Sequence, residues 1–117
     1  MSEIDELIDQ IDAFRDARDW RQFHNAKDLA LSLSLEASEL LEVFQWKSAD
    51  DAVRERRDAL AEELADVLIY ALMMASDLGL NPADIVREKL ALNEEKYPVV
   101  ASYGRSDKYV ALPHTGQ

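Results

Sequence analysis

Apolar residues recur at intervals of three or four along most of the chain, which predicts amphipathic helices. The pattern indicates four helices, covering about residues 2–17, 27–46, 51–78 and 82–97. Helix-terminating signals agree with these limits, because Gly79 follows the third segment and Asn81-Pro82 opens the fourth. No alternation typical of strands competes, so we expect an all-α four-helix bundle followed by an irregular C-terminal tail over residues 98–117.

The length of the chain is typical of one domain. Its 117 residues suffice for one hydrophobic core but not for two, so residues 1–117 are predicted to form a single domain. The second and third predicted helices nevertheless carry apolar residues on more than one face. Burial of a second face predicts that the bundle assembles as an oligomer.

Four carboxylates interrupt the apolar stripes of the second and third predicted helices. Glu36 and Glu39 lie one helical turn apart, and Glu63 and Asp66 repeat this spacing. Glu36 and Glu63 fall in the middle of their stripes, whereas the other two fall at the edge. Unpaired buried carboxylates are unfavourable, so four converging ones require cations between them. Because the ligands are all oxygens, we expect Mg²⁺, with Mn²⁺ as a substitute.

Glutamate on a helix has two other possible roles besides that of a metal ligand. A solvated charged face fits Glu42, Glu55 and Glu62, which point away from the stripes, but it does not fit the four carboxylates above. A di-iron carboxylate bundle needs Glu-x-x-His pairs, and neither His24 nor His114 lies three residues after a glutamate. The pattern therefore favours a magnesium site over both alternatives.

Composition and charge exclude several classes of protein. The absence of cysteine excludes disulfides and thiolate metal sites. A net charge of −11 argues against nucleic acid as a partner, because phosphate backbones select basic surfaces. The first dozen residues are acidic where a signal peptide would be basic, and no apolar stretch approaches the roughly 20 residues that span a bilayer. We therefore expect a cytoplasmic protein without a membrane partner.

Paired magnesium ions would suit chemistry on a polyphosphate. They would neutralise its charge and lower the pKa of a water for in-line attack at phosphorus. The sequence contains no recognisable nucleophile arrangement with histidine, and its three glycines form no phosphate-binding loop. Direct attack by water is therefore the expected chemistry.

The fourth predicted helix carries a polar row. Lys89, Asn93 and Lys96 recur at i, i+4 and i+7 and therefore share one face. Lysines near a helix end are often only a solvated row that complements the helix dipole. The functional reading makes these three residues contacts to the phosphates and sugar of a nucleotide.

The scarce aromatic residues suggest where a base would bind. Trp46 and Tyr70 project from the same helices as the carboxylates, whereas Trp20, Phe23 and His24 lie in a connector between the first two helices. Packing in the core is the ordinary role of a single aromatic. Stacking on a flat base, with hydrogen bonds from the histidine, is the functional alternative.

Taken together, these residues give the chain a resemblance to the MazG-like all-α nucleoside triphosphate pyrophosphohydrolases, most closely to their dCTP pyrophosphatase branch. The similarity extends from the first helix to Pro113. It is strongest in several separated motifs that occur in the family's order, namely residues 18–24, 33–47, 62–70, 93–98 and 108–113.

The resemblance implies both an activity and an assembly. It implies that the four carboxylates bind Mg²⁺ and that residues 20–24, with Trp46 and Tyr70, surround the nucleoside. It further implies a homotetramer whose sites are shared between subunits, and cleavage between the α and β phosphates to release pyrophosphate. We expect dCTP and its base-modified forms to be the main substrates. The alternative is a non-catalytic helical oligomer that binds divalent metal and nucleotide without turnover.

The sequence also departs from the resembling proteins at three positions. Leu35 precedes Glu36 where the broader family has adjacent glutamates, and this favours the dCTP-like branch. Ile11 stands where that branch carries a histidine near the substrate, and Asp28 stands where asparagine is usual. The changes at Ile11 and Asp28 predict a cytosine preference that is real but modest.

Overall fold

The computed structural model describes residues 1–106, and these residues form helices and turns without a strand. This confirms the predicted all-α class. In chain order the helices are α1 (Glu3–Asp16), a 3₁₀ segment (Trp20–Phe23), α2 (Ala26–Glu42), α3 (Ala49–Glu55), α4 (Arg57–Asp77), α5 (Pro82–Lys96) and α6 (Val99–Ser102). No helix among these residues is long and apolar enough to cross a membrane.

The described helices are more numerous than the four that periodicity predicted. The predicted third helix is two helices, because the backbone at Arg56 (φ −126°, ψ 33°) leaves the helical region between α3 and α4. The predicted second helix ends at Glu42 instead of Trp46, whose φ of 65° cannot continue a right-handed helix. Neither break contains glycine or proline, so the sequence carries no local signal for it.

The predicted irregular tail also differs in part from the structure. Residues 99–102 form the short helix α6, while residues 107–117 lie outside the described part of the chain. By contrast, the limits of α1 and α5 agree with the prediction to within one residue. In α1 a capping box fixes the start of the helix. The Ser2 side chain accepts a hydrogen bond from the Asp5 N–H, and the Asp5 side chain accepts one from the Ser2 N–H.

The structure divides into two compact units, Met1–Asn81 and a second that begins at Pro82. In the first unit, α2 and α4 form the most extensive helix pair, and both α1 and α3 pack on α4. Leu29, Val43 and Met73 are buried there. Many other apolar side chains are exposed, including Leu41 of α2 at 71% and Leu68 of α4 at 54%. The prediction of one domain over residues 1–117 stays a prediction.

A buried arginine joins the first helix to the end of the fourth. Arg15 is fully buried, and its guanidinium donates to Asp77 Oδ2 at 3.0 Å and to Asp12 Oδ1 at 2.8 Å. The hydrogen bond from Arg15 is the main reason that the pKa of Asp77 lies below its usual value. Ser76 donates to the other oxygen of Asp12 at 2.7 Å. This network fixes α1 against α4.

Candidate metal centre

The packing of α2 on α4 brings the two predicted carboxylate pairs to one place. Glu36, Glu39 and Glu63 each offer a carboxylate oxygen, and these three oxygens lie within 4.8 Å of one another. Asp66 is not part of this closest group, but its negative charge raises the pKa of Glu36 and Glu63. The structure therefore gathers side chains that lie on separate helices into one acidic cluster.

The electrostatics of the cluster are suited to binding a cation. Glu36 Oε2 and Glu63 Oε2 are buried and have no hydrogen-bond partner. Burial raises the pKa of Glu36 to about 7, with further contributions from its hydrogen bond to Glu39 and from repulsion by the neighbouring carboxylates. Burial is also the main reason that the pKa of Glu63 is raised. An all-oxygen donor set with orphaned anionic atoms fits a hard divalent ion.

An apolar groove adjoins the cluster along α1 and α4. It has a volume of about 750 Å³, and its lining includes Asp66, Tyr70, Phe14, Trp20 and Ile11. The Phe14 and Trp20 rings meet edge to face, with centroids 5.6 Å apart. Burial, followed by the charge of the nearby carboxylates, raises the pKa of Tyr70, which keeps its phenol neutral. Two of the predicted nucleoside contacts, Trp20 and Tyr70, therefore share one groove beside a cluster carboxylate.

The other predicted contacts lie elsewhere. Phe23 is 65% exposed at the end of the 3₁₀ segment, and Trp46 is 93% exposed. His24 is half-buried beside the arginine network, where its Nδ1 lies 3.4 Å from Arg15 Nη1. None of these three predicted contacts lines the groove.

The polar row on α5 belongs to the second unit. Lys89 and Lys96 are exposed, and Asn93 is half-buried. Their helical spacing places all three on one face of α5, as predicted. Their role as phosphate and sugar contacts stays a prediction.

One lining residue of the site was missed by the sequence analysis. A second cavity, of about 340 Å³, is lined by Glu39 and Glu63 and also by Glu42, Val43, Gln45, Arg56 and Ala59. Arg56 is the only basic residue in this lining, which lies wholly within residues 1–106. It reaches this position through the break between α3 and α4, and an uninterrupted helix over residues 51–78 would have concealed it.

Comparison with known proteins identifies relatives of this chain. The MazG-like family model matches residues 31–112. Curated relatives include dCTP pyrophosphatase 1 of Bos taurus, which is 41% identical, with 86% of this chain and 63% of the relative covered. The dCTP pyrophosphatase 1 of Homo sapiens is 40% identical, with 86% and 62% covered. The chain thus spans less than two thirds of the length of these relatives.

A solved structure of a pyrophosphatase has a similar fold. A pyrophosphatase from Archaeoglobus fulgidus DSM 4304 is 42% identical and superimposes with a TM-score of 0.79, covering 84% of this chain and 94% of the other. The similarity to pyrophosphatases at this identity, together with the family match, confirms the resemblance inferred from the motifs. The chain belongs to the MazG-like family.

Proposed function

We propose that this protein is a Mg²⁺-dependent nucleotide pyrophosphohydrolase. Its substrates are deoxynucleoside triphosphates, chiefly dCTP and base-modified dCTP, and its products are the monophosphate and pyrophosphate. The observation that carries the proposal is the convergence of Glu36, Glu39 and Glu63, two of which hold a buried oxygen without a partner. The names of the relatives support the type of reaction. We expect the protein to act in the cytoplasm and to bind neither nucleic acid nor membrane.

The four carboxylates are the proposed ligands of the metal ion. Glu36, Glu39, Glu63 and Asp66 would hold Mg²⁺, with Mn²⁺ as a substitute. Bound Mg²⁺ would neutralise phosphate charge and lower the pKa of a water. In the reaction, water attacks the α-phosphorus and the bond to the oxygen that bridges to the β-phosphate breaks. Pyrophosphate then leaves, so the chain needs no nucleophile of its own.

The apolar groove supplies a place for the nucleoside. Trp20 and Tyr70 offer flat surfaces beside Asp66, and stacking of a base on such a ring contributes roughly 1–3 kcal/mol. The α-phosphate of a nucleotide held there would lie toward the acidic cluster. We further propose that Lys89, Asn93 and Lys96 contact phosphates and sugar, and that Phe23, His24 and Trp46 complete the nucleoside site.

The test of the proposed function is pyrophosphate release from dCTP. Purified protein with Mg²⁺ should release one pyrophosphate for each dCMP formed, and a chelator should abolish the reaction. A panel of deoxy, ribo and base-modified triphosphates would then rank the substrates. Tight binding of dCTP and Mg²⁺ without any release would instead favour the non-catalytic binding oligomer.

Base selection should separate the roles of two residues. Because stacking holds any base, Trp46→Ala should raise the KM for every triphosphate alike. Discrimination between cytosine and thymine needs a polar group that matches one edge, so His24→Ala should change the ratio of kcat/KM for dCTP and dTTP. Steady-state kinetics with both nucleotides measures this. An unchanged ratio in His24→Ala with a shifted ratio in Trp46→Ala would show that these two roles are reversed.

We also propose a homotetramer. The exposed apolar side chains of α2 and α4, among them Leu35 at 64% and Leu41 at 71%, would be covered by neighbouring subunits. An interface that buries them makes assembly part of the stability of the fold. Light scattering at micromolar concentration should report the mass of four chains. A stable and active monomer would contradict this proposal.

A further inference from the structure

Arg56 lines the same small cavity as Glu39 and Glu63, yet its guanidinium makes no hydrogen bond or ion pair with any residue in the range 1–106. Arginine beside carboxylates ordinarily forms charge-assisted hydrogen bonds with them. The side chain of Arg56 is instead exposed to solvent in a lining that is otherwise acidic or neutral. Its five donors are therefore left for a ligand.

The backbone holds Arg56 at this position from both sides. Its N–H donates to the Ala52 carbonyl at 2.8 Å, and its own carbonyl accepts from the Leu60 N–H at 2.9 Å. The residue thus belongs to the last turn of α3 and to the first turn of α4, although its own φ and ψ are not helical. A side chain that starts from such a fixed point is better prepared for binding than one on a loose loop.

The apolar groove and the cavity lined by Arg56 adjoin the acidic cluster at different residues, and this suggests how a substrate would be oriented. The apolar groove reaches the cluster at Asp66, and the cavity of Arg56 reaches it at Glu39 and Glu63. A nucleotide whose base lies in the groove and whose α-phosphate lies at the cluster would extend its remaining phosphates into the cavity. Arginine recognises phosphate oxygens through two parallel hydrogen bonds.

We infer that Arg56 binds the β- and γ-phosphates of the substrate, the part that leaves as pyrophosphate. This inference rests on the proposed function, which it deepens by assigning the orientation of the triphosphate. It also explains why a positive side chain lies among carboxylates without pairing with them. The nucleoside end is then read in the groove and the pyrophosphate end at the α3–α4 junction.

Arg57 provides a matched control. It follows Arg56 directly and carries the same charge, but it does not line the acidic cavity. Instead it lines an apolar hollow with residues such as Leu40 and Phe44. Arg56→Ala and Arg57→Ala therefore remove the same charge from adjacent positions, and only the first removes it from the cavity.

The experiment is calorimetric binding of inorganic pyrophosphate, and separately of dCMP, in the presence of Mg²⁺. Arg56→Ala should weaken pyrophosphate binding about 10- to 100-fold, the usual loss for hydrogen bonds to a charged group, and Arg56→Lys should weaken it less. Binding of dCMP should be unchanged in both variants, as should both affinities in Arg57→Ala. Melting temperatures would establish that all three variants are folded.

Two results would overturn the inference. One is pyrophosphate affinity that is equal in wild type and Arg56→Ala, or weakened equally by Arg57→Ala. The other is a loss of dCMP affinity as large as the loss of pyrophosphate affinity. Because binding is measured without turnover, the inference is separable from the proposed function. If wild type hydrolyses dCTP but Arg56→Ala binds pyrophosphate as tightly as wild type, only the inference about Arg56 is refuted. If pyrophosphate binding depends on Arg56 but dCTP is not hydrolysed, only the proposed enzymatic activity is refuted.

Discussion

Glu63→Gln and Asp66→Asn should each lower the rate of dCTP hydrolysis by more than about 100-fold while leaving the protein folded. Each change replaces a charged oxygen ligand by an amide of nearly the same shape, so the helix packing is kept and the affinity for Mg²⁺ is lost. Glu62→Gln is the control, because Glu62 is the exposed neighbour of Glu63 on α4. Near-normal rates in both variants would contradict the assignment of the metal site.

The same variants should be more stable than wild type when metal is absent. Burial and neighbouring charges raise the pKa of Glu36 from 4.5 to about 7 and also raise the pKa of Glu63. A carboxyl with a raised pKa in the folded state stabilises the protein below its unfolded pKa, and this contribution is lost as pH rises through the folded value. Metal-free wild type should therefore lose stability between about pH 4.5 and 7.

Thermal denaturation measures this effect. With a chelator, the melting temperature of wild type should be lower at pH 8 than at pH 5 through this contribution, and Glu63→Gln should reduce the difference. Adding Mg²⁺ at pH 8 should raise the melting temperature of wild type more than that of the variant, because ligand binding stabilises only the state that binds. Equal responses to Mg²⁺ would show that Glu63 is not a ligand.

Asp77→Ala should lower the free energy of unfolding by about 1.5–3 kcal/mol, the range for hydrogen bonds to a charged group and the second large effect that the structure predicts. The variant leaves the cation of Arg15 fully buried after the loss of its hydrogen bonds to Asp77. The double variant Arg15→Met/Asp77→Leu should regain part of this loss, since it removes the buried cation together with its partner, whereas Asp12 still loses the hydrogen bonds that it accepts from Arg15. Urea denaturation of both variants provides the measurement.

An exposed pair in the same region supplies the control. Arg21 and Asp16 form an ion pair in which both side chains are about half exposed, so Asp16→Asn should cost less than about 1 kcal/mol. The low pKa of Asp77 also predicts a dependence of stability on pH. The contribution of Asp77 to the free energy of unfolding is present above pH 3.8, the ordinary pKa of aspartate, and is lost as the pH falls through the lower pKa of Asp77 in the folded protein. A cost for Asp77→Ala as small as that for Asp16→Asn would show that the buried network contributes little to stability.

Local features of the sequence located α1 and α5 and identified the two carboxylate pairs. Spacing alone placed Glu36 with Glu39 and Glu63 with Asp66 on shared helix faces, because side chains three residues apart lie one above the other on any α-helix. The Asn81-Pro82 signal likewise located the start of α5, because proline is favoured at the first position of a helix. These inferences required no knowledge of how the helices pack.

Only the tertiary structure decided which faces meet and where the helices break. The approach of Glu36 to Glu63, the burial of Arg15 against Asp77 and the position of Arg56 in the acidic cavity all join residues that are distant in sequence. Periodicity describes one helix at a time, so it cannot determine the contact between two. The break at Arg56 lacks a glycine or proline signal, and packing around the α3–α4 junction overrides a helical pattern that runs through it.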